Sequence, residues 1–331
     1  MRFGLFGSAQ ARRGVADAAA GFRDFVEMNV EAEALGYHST FLVEHHFTGM
    51  GQVSAPLALL GWVAARTTRL RLGTAVLVLP WHNPILLAEQ AATLDLMSAG
   101  RLEFGVGRGY RASEFSGFAM NADEAEARFD EALALIQRAW TSDARFSHAG
   151  RFWRFENIIV EPPPHQKPHP PLWIAAGSDA SIRQVASRGA NLLLDQFASF
   201  DQSVARLALY RAAVETQGRH FDSASVALAR NYHIARDAAE KDAALRHAAE
   251  QHRRMLALSQ DPTRPGTSHI LSYAEPGAAE ASALYGTPDS VAAEIEKLRA
   301  AGFGTVLLNG GGSARENLRR FAREVMPAFS G

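Results

Sequence analysis

The residue types able to do chemistry stand in a few short segments. Glu44-His45-His46-Phe47, Pro80-Trp81-His82-Asn83, Gly105-Val106-Gly107-Arg108-Gly109-Tyr110 (with Glu114-Phe115 just beyond), Gly177-Ser178 with Ser181, and Asp195-Gln196 each follow an apolar run. Asn309 precedes three glycines at 310–312. Imidazole changes charge near neutral pH, so His45, His46 and His82 are candidate proton carriers. A shared metal ion is not expected. Neighbours on an extended chain point to opposite faces, which separates His45 from His46. No H-E-x-x-H occurs, and only Glu44 and Asp195 offer carboxylates at strand ends. At least one histidine of the adjacent pair is expected to be a buried, hydrogen-bonded structural residue. The glycines around Arg108 allow close backbone approach to an anion, and the guanidinium supplies a permanently charged fork suited to phosphate. Ser178 and Ser181 offer hydroxyls at a helix start, another place an anion prefers, although either Ser178 or Asp179 would also serve as a plain helix cap. Two such segments on consecutive loops point to one phosphate-bearing cofactor. Glycines 310–312 read either as a tight turn or as a third phosphate contact.

What positions these segments is an alternation of short apolar runs with longer amphipathic ones. The pattern predicts strands at 2–6, 39–43, 70–78, 102–106, 172–176, 191–194, 226–233 and 305–308. Helices are predicted at 22–35, 56–66, 84–97, 122–140, 181–188, 200–217, 235–258, 288–301 and 314–325. Eight buried strands with helical partners predict a (β/α)8 TIM barrel, one domain over 1–331 with insertions near 107–121, 144–171 and 259–285. The second insertion holds a hairpin expected to turn at Ala149-Gly150, then a proline-rich surface connection, EPPPHQKPHPP. The third has no clean period. An open doubly wound sheet is the weaker alternative. Its glycine fingerprint is missing after the first strand, and Tyr110 occupies the final glycine place of the segment at 105–110.

Composition narrows the partners. The 331 residues carry 34 Lys+Arg against 35 Asp+Glu, without the basic excess of a nucleic-acid binder. The absence of cysteine excludes disulfides, thiolate metal sites, Fe–S clusters and a catalytic thiol. Residues 72–88 carry no formal charge, but Pro80, His82, Asn83 and Pro84 interrupt a run already shorter than the ~20 apolar residues a bilayer needs. No membrane partner is expected. MRFGLFGSAQARR is too short in apolar run for a signal peptide, so a cytoplasmic location is the expectation.

Several ordered segments resemble the bacterial luciferase-like flavin monooxygenases: MRFGLF at the start, ALGYHSTFLVEHHF at 34–47, RLGTAVLVLPWHNP at 71–84, DLMSAGRLEFGVGRGY at 95–110, PLWIAAGSDAS at 171–181 and GTPDSVAAEIEKLRAAGFGTVLL at 286–308. The resemblance implies a (β/α)8 barrel that takes reduced FMN from a separate flavin reductase. It implies O2 adding to the flavin at C4a to give a peroxide that oxidises a small organic substrate. It implies His45 as the catalytic histidine, Arg108 as the phosphate-binding arginine, Ser178 and Ser181 as phosphate hydroxyls, and a non-proline cis peptide at Ala75-Val76 under the flavin ring. The family commonly forms two-fold dimers, for which the 56–66 and 84–97 helices are the expected contact.

Two positions depart from luciferase itself. Gly177 stands where luciferase has a glutamate, leaving only backbone contact with the cofactor, and Gly107 stands where it has a reactive cysteine. Segment 259–285, at the place of the mobile lid, is unlike luciferase's, which argues against light-emitting aldehyde chemistry. Two alternatives remain open: a deazaflavin (F420)-dependent oxidoreductase of the same superfamily and a non-catalytic flavin-binding barrel.

Overall fold

The computed structural model describes residues 1–11, 14–259, 281–310 and 314–329. In chain order the elements are β1 (Arg2–Gly7), α1 (Ala20–Ala34), β2 (Ser39–Leu42), α2 (Pro56–Arg66), β3 (Arg71–Thr74), β4 (Leu77–Val78), α3 (Pro84–Met97), β5 (Leu102–Gly107), α4 (Ala112–Gly117), α5 (Ala125–Thr141), β6 (Phe146–Ala149), β7 (Arg154–Ile158), β8 (Leu172–Ala175), α6 (Asp179–Ser187), β9 (Asn191–Leu194), α7 (Phe200–Glu215), β10 (Val226–Ile234), α8 (Ala238–Ser259), β11 (Leu284–Gly286), α9 (Pro288–Ala301), β12 (Thr305–Asn309) and α10 (Ala314–Glu324). Among the described residues, eight parallel strands close in the order β1-β2-β3-β5-β8-β9-β10-β12 and back to β1. This is the expected (β/α)8 barrel.

Strands covered by helices outside and by side chains inside have no polar face to show. Every residue of β2 and β5 is accordingly buried. The barrel interior is filled by Phe41, Trp173, Leu193, Ala227, Ala229 and Leu307, with Phe41 and Trp173 meeting edge to face at 5.8 Å. Local signals set the helix ends. Asn83 caps α3 by accepting from the Ile85 and Leu86 N–H groups, and Ser199 and Gln202 form a capping box on α7. No helix among the described residues is long and apolar enough to cross a membrane.

Four details differ from the sequence expectations. The run at 70–78 is two strands. The chain leaves the sheet at Ala75-Val76, whose peptide bond is cis, and the Thr74 side chain bridges the gap: its hydroxyl donates to the Gly105 carbonyl (2.7 Å) and accepts from the Gly105 N–H (2.9 Å). Only glycine fits at 105, because a Cβ there would lie 1.7 Å from the Thr74 carbonyl oxygen. The hairpin turn spans 150–153 rather than two residues. Glu131 on α5 causes this by accepting from the N–H groups of Arg151, Phe152 and Trp153. β11, inside the stretch with no clean period, adds a three-residue strand to β10, while residues 260–280 of that stretch, and 311–312 of the glycine run, lie outside the described residues. The proline-rich connection is also more than a surface strap. Gln166 bonds both oxygens of the buried Asp95 and the Leu102 carbonyl. Arg71 pairs with Glu103, which also accepts from the Trp173 indole at 2.6 Å. The N-terminal end of the barrel is thereby closed, and burial, opposed by Arg71, pushes the Glu103 carboxyl up.

Candidate active site

All the site residues expected from the sequence lie at the opposite, C-terminal end of the strands. His45 and His46 follow β2, and the extended chain sends their rings apart onto two different buried carboxylates. His45 Nδ1 donates to Glu114 Oε1 at 3.0 Å, and the same oxygen accepts from the His46 backbone N–H at 2.9 Å. The His46 ring donates from Nε2 to Glu44 Oε1 (3.1 Å), which also accepts from His82 Nε2 at 2.7 Å, while Glu44 Oε2 accepts from the Val78 N–H at 2.7 Å. Each carboxylate is only 2% exposed. Burial pushes the Glu44 carboxyl up, but the three donors outweigh it and hold it below the ordinary range. Burial lowers the His45 pKa; the bond to Glu114 opposes this, and the neighbouring Arg111 reinforces it. A neutral His45 ring that donates from Nδ1 to Glu114 keeps its lone pair on Nε2. Glu44 also ties the β2 loop to the segment carrying Ala75 and Val76. Both rings of the adjacent pair are half-buried and hydrogen-bonded, so neither is the fully buried residue the pair was expected to contain. His46 packs edge to face on Phe118 at 4.8 Å.

The second half of the site is built at the ends of β5 and β8. Gly107, Arg108, Ala175, Ala176, Ser181 and Arg188 line one cavity beside the start of α6. Arg108 is 42% exposed, and its nearest acid, Glu126, is 3.5 Å away. Ser178 caps α6, its hydroxyl 2.9 Å from that of Ser181. Gly107 packs against Val76 so closely that a Cβ would sit 2.5 Å from a Val76 methyl, which joins this cavity to the cis segment. Among the described residues no group of three His, Asp or Glu side chains forms a metal site.

Sequence reasoning placed these histidines, the arginine and the serines but did not assign Glu44 and Glu114 to them. Two of the three carboxylate–imidazole pairs span 69 and 38 residues in sequence, which no local spacing encodes. The third, Glu44 with His46, is two residues apart, the spacing that puts side chains on one face of an extended chain. Trp81, Phe115 and Phe118 pack on one another, with Trp81 and Phe118 stacked at 5.3 Å.

A cation, two hydroxyls and a helix N-terminus suit a phosphate group, and small residues leave room beside them for a ring system. The architecture is that of a barrel whose C-terminal rim suits a phosphate-bearing ligand. Comparison with known proteins makes the class specific. The sequence profile of the luciferase-like monooxygenases matches residues 1–305, and the chain belongs to that family. It is similar to protein y4vJ of Sinorhizobium fredii, 32% identical over 264 residues, 78% of this chain and 74% of that one. It is also similar to the oxygenase component of the flavin-dependent trigonelline monooxygenase of Acinetobacter baylyi, 31% identical over 188 residues. That match spans 56% of this chain and only about half, 52%, of the relative. Among solved structures, the monooxygenase RslO1 of Streptomyces bottropensis superposes over the full length of both chains with a TM-score of 0.87 and 30% identity. At 20% identity or less the barrel alone is shared, both with the FMN complex of the oxygenating constituent of 3,6-diketocamphane monooxygenase from Pseudomonas putida (TM-score 0.80) and with an F420-dependent secondary alcohol dehydrogenase (TM-score 0.79). The chain is thus an enzyme, a monooxygenase of the luciferase-like, flavin-dependent kind.

Proposed function

We propose that this chain is the oxygenase component of a two-component system, using reduced FMN from a separate flavin reductase, and O2, to oxidise a small organic substrate. The observation that carries the reading is the single cavity joining Arg108, Ser181 and Gly107, with the Ala75-Val76 segment packed on Gly107. In this reading Arg108, Ser178, Ser181 and the N–H groups opening α6 hold the phosphate, and Gly177 contributes backbone only. Ala75 and Val76, half-buried among fully buried neighbours, support the ring. The bound reduced flavin supplies the two electrons by which one oxygen atom enters the substrate and the other leaves as water.

The protein's own share is to place and protonate. Glu114 fixes the His45 tautomer, so Nε2 is the nitrogen that accepts a proton from the reacting groups and returns it. Glu44 holds the ring support in place through Val78. Trp62 on α2 and Leu86, Leu96 and Met97 on α3 are 41–63% exposed, which supports a homodimer formed through these helices. The trigonelline relative is named an oxygenase component, which supports a partner reductase.

The test is anaerobic titration with reduced FMN and, separately, reduced F420, followed by admission of O2. Tighter binding of FMN with oxygen uptake is expected. Binding of the deazaflavin alone establishes the dehydrogenase alternative, and flavin binding without substrate oxidation across candidate substrates establishes the non-catalytic one.

A further inference from the structure

The C-terminal rim of the barrel carries a pair of carboxamides on the strands opposite β3 and β5. In the closed order of strands, β10 lies across from β3 and β12 across from β5. Side chains alternate along a strand, and Ala227, Ala229 and Leu307 point into the barrel. The next inward positions toward the C-terminal end are Asn231 on β10 and Asn309 on β12, direct neighbours in the register. Asn309 Nδ2 donates to Asn231 Oδ1 at 3.0 Å. That is the one hydrogen bond either side chain makes among the described residues, and both are half-buried. Each carboxamide has two N–H groups and an oxygen with two lone pairs, so the pair keeps donors and an acceptor side by side. Below them lies an apolar floor, Phe41 and Trp173, where placing a polar group without partners is costly.

Among the described residues, the basic side chains of β10 are directed away from this pair: the Arg230 guanidinium to Ser203 and the Asp195 carbonyl, and His233 between Asn317 and Glu240. A carboxylate therefore finds no cationic partner on this strand, and an alkyl chain leaves both amides without a ligand partner.

We propose that Asn231 and Asn309 form the substrate subsite, and that the group they hold is an uncharged carbonyl bearing an adjacent N–H or O–H, as in an amide, a lactam or a hydroxyketone. Such a group matches the donor–acceptor pair in both directions, and it is held across the mouth from the ring-supporting residues Ala75 and Gly107. The proposal rests on the flavin reading above for its catalytic meaning.

Three probes of one shape test it: benzamide, acetophenone and isopropylbenzene, titrated calorimetrically into the protein with and without FMN. The variants are Asn231→Ala and the double change Asn231→Leu with Asn309→Leu. Benzamide is expected to bind the unaltered protein and to weaken about tenfold or more in the double variant, acetophenone less, and isopropylbenzene not at all or in the opposite sense. FMN affinity should stay constant. A double variant that no longer binds FMN is set aside as misfolded, and Asn231→Ala decides, with a weakening of at least threefold for benzamide alone. Absence of saturable benzamide binding, or equal losses for all three probes, overturns the subsite. Failure of the unaltered protein to bind FMN overturns the flavin reading instead, and the flavin-free titrations still decide the subsite.

Discussion

The two halves of the site are built on opposite principles. Around His45 and His46, two carboxylates only 2% exposed accept hydrogen bonds from three imidazoles and two backbone N–H groups, and the geometry is complete before any ligand arrives. Around Arg108 the groups are exposed: the guanidinium has one acid at 3.5 Å, and the serine hydroxyls satisfy each other. Proton transfer requires a fixed donor and acceptor in a dry setting. Phosphate capture requires charge that an incoming anion can reach without first breaking a buried pair. The first half should therefore govern turnover and stability, and the second affinity.

The largest effect tests the first half. His45→Ala should lower product formation by ~100- to 10,000-fold while FMN binding is unchanged. Oxygen uptake should continue with release of hydrogen peroxide, read by an oxygen electrode and a peroxide assay. An equal loss on His46→Ala, without any loss on His45→Ala, would exchange their roles. Next comes stability. Glu114→Ala strands the buried Arg111, whose Nε and Nη1 already lack hydrogen-bond partners, and should cost ~3–5 kcal/mol in urea unfolding. Ser178→Ala, which in the ligand-free protein removes a helix cap, should cost ~1 kcal/mol. Similar losses for both would erase the contrast. Arg108→Ala should leave stability nearly unchanged and weaken FMN by ~2 kcal/mol, about thirtyfold, while riboflavin, which lacks the phosphate, is unaffected.

The smallest effect is a pH slope. His45 is held below its ordinary value by burial. Burial and the neighbouring Arg2 and Arg71 bring His38 from 6.5 down to about 4. Each binds a proton more readily in the unfolded chain, so the stability they contribute is complete above pH 6.5 and declines as the pH falls; for His38 the loss runs down to about 4. His38→Gln should shrink the difference between urea midpoints at pH 7 and pH 5, and Ser178→Ala should leave it unchanged.

Periodicity made the barrel legible because each strand must be apolar on both faces and each helix on one. It failed where side chains override the local pattern: at Thr74, whose hydroxyl replaces ladder bonds across the break, and at Glu131, which gathers three N–H groups into a longer turn. The cradle residues were legible for a related reason. Arg108, Ser178 and Ser181 stand within a few residues of a strand end or a helix start, so their place at the rim, from which the proposed phosphate role was argued, follows from local backbone geometry.

The sequence by itself thus determined the alternation that closes eight strands, the end of the barrel where function gathers, and which imidazoles and hydroxyls stand there. The tertiary structure alone decided how they are wired. That Glu114 fixes one histidine, that Glu44 reaches His82 and Val78, and that Asn231 meets Asn309 follows from strand order and loop packing over dozens of residues. Closing the barrel brings distant loops to one rim, and a buried carboxylate must find its donors wherever the chain has placed them.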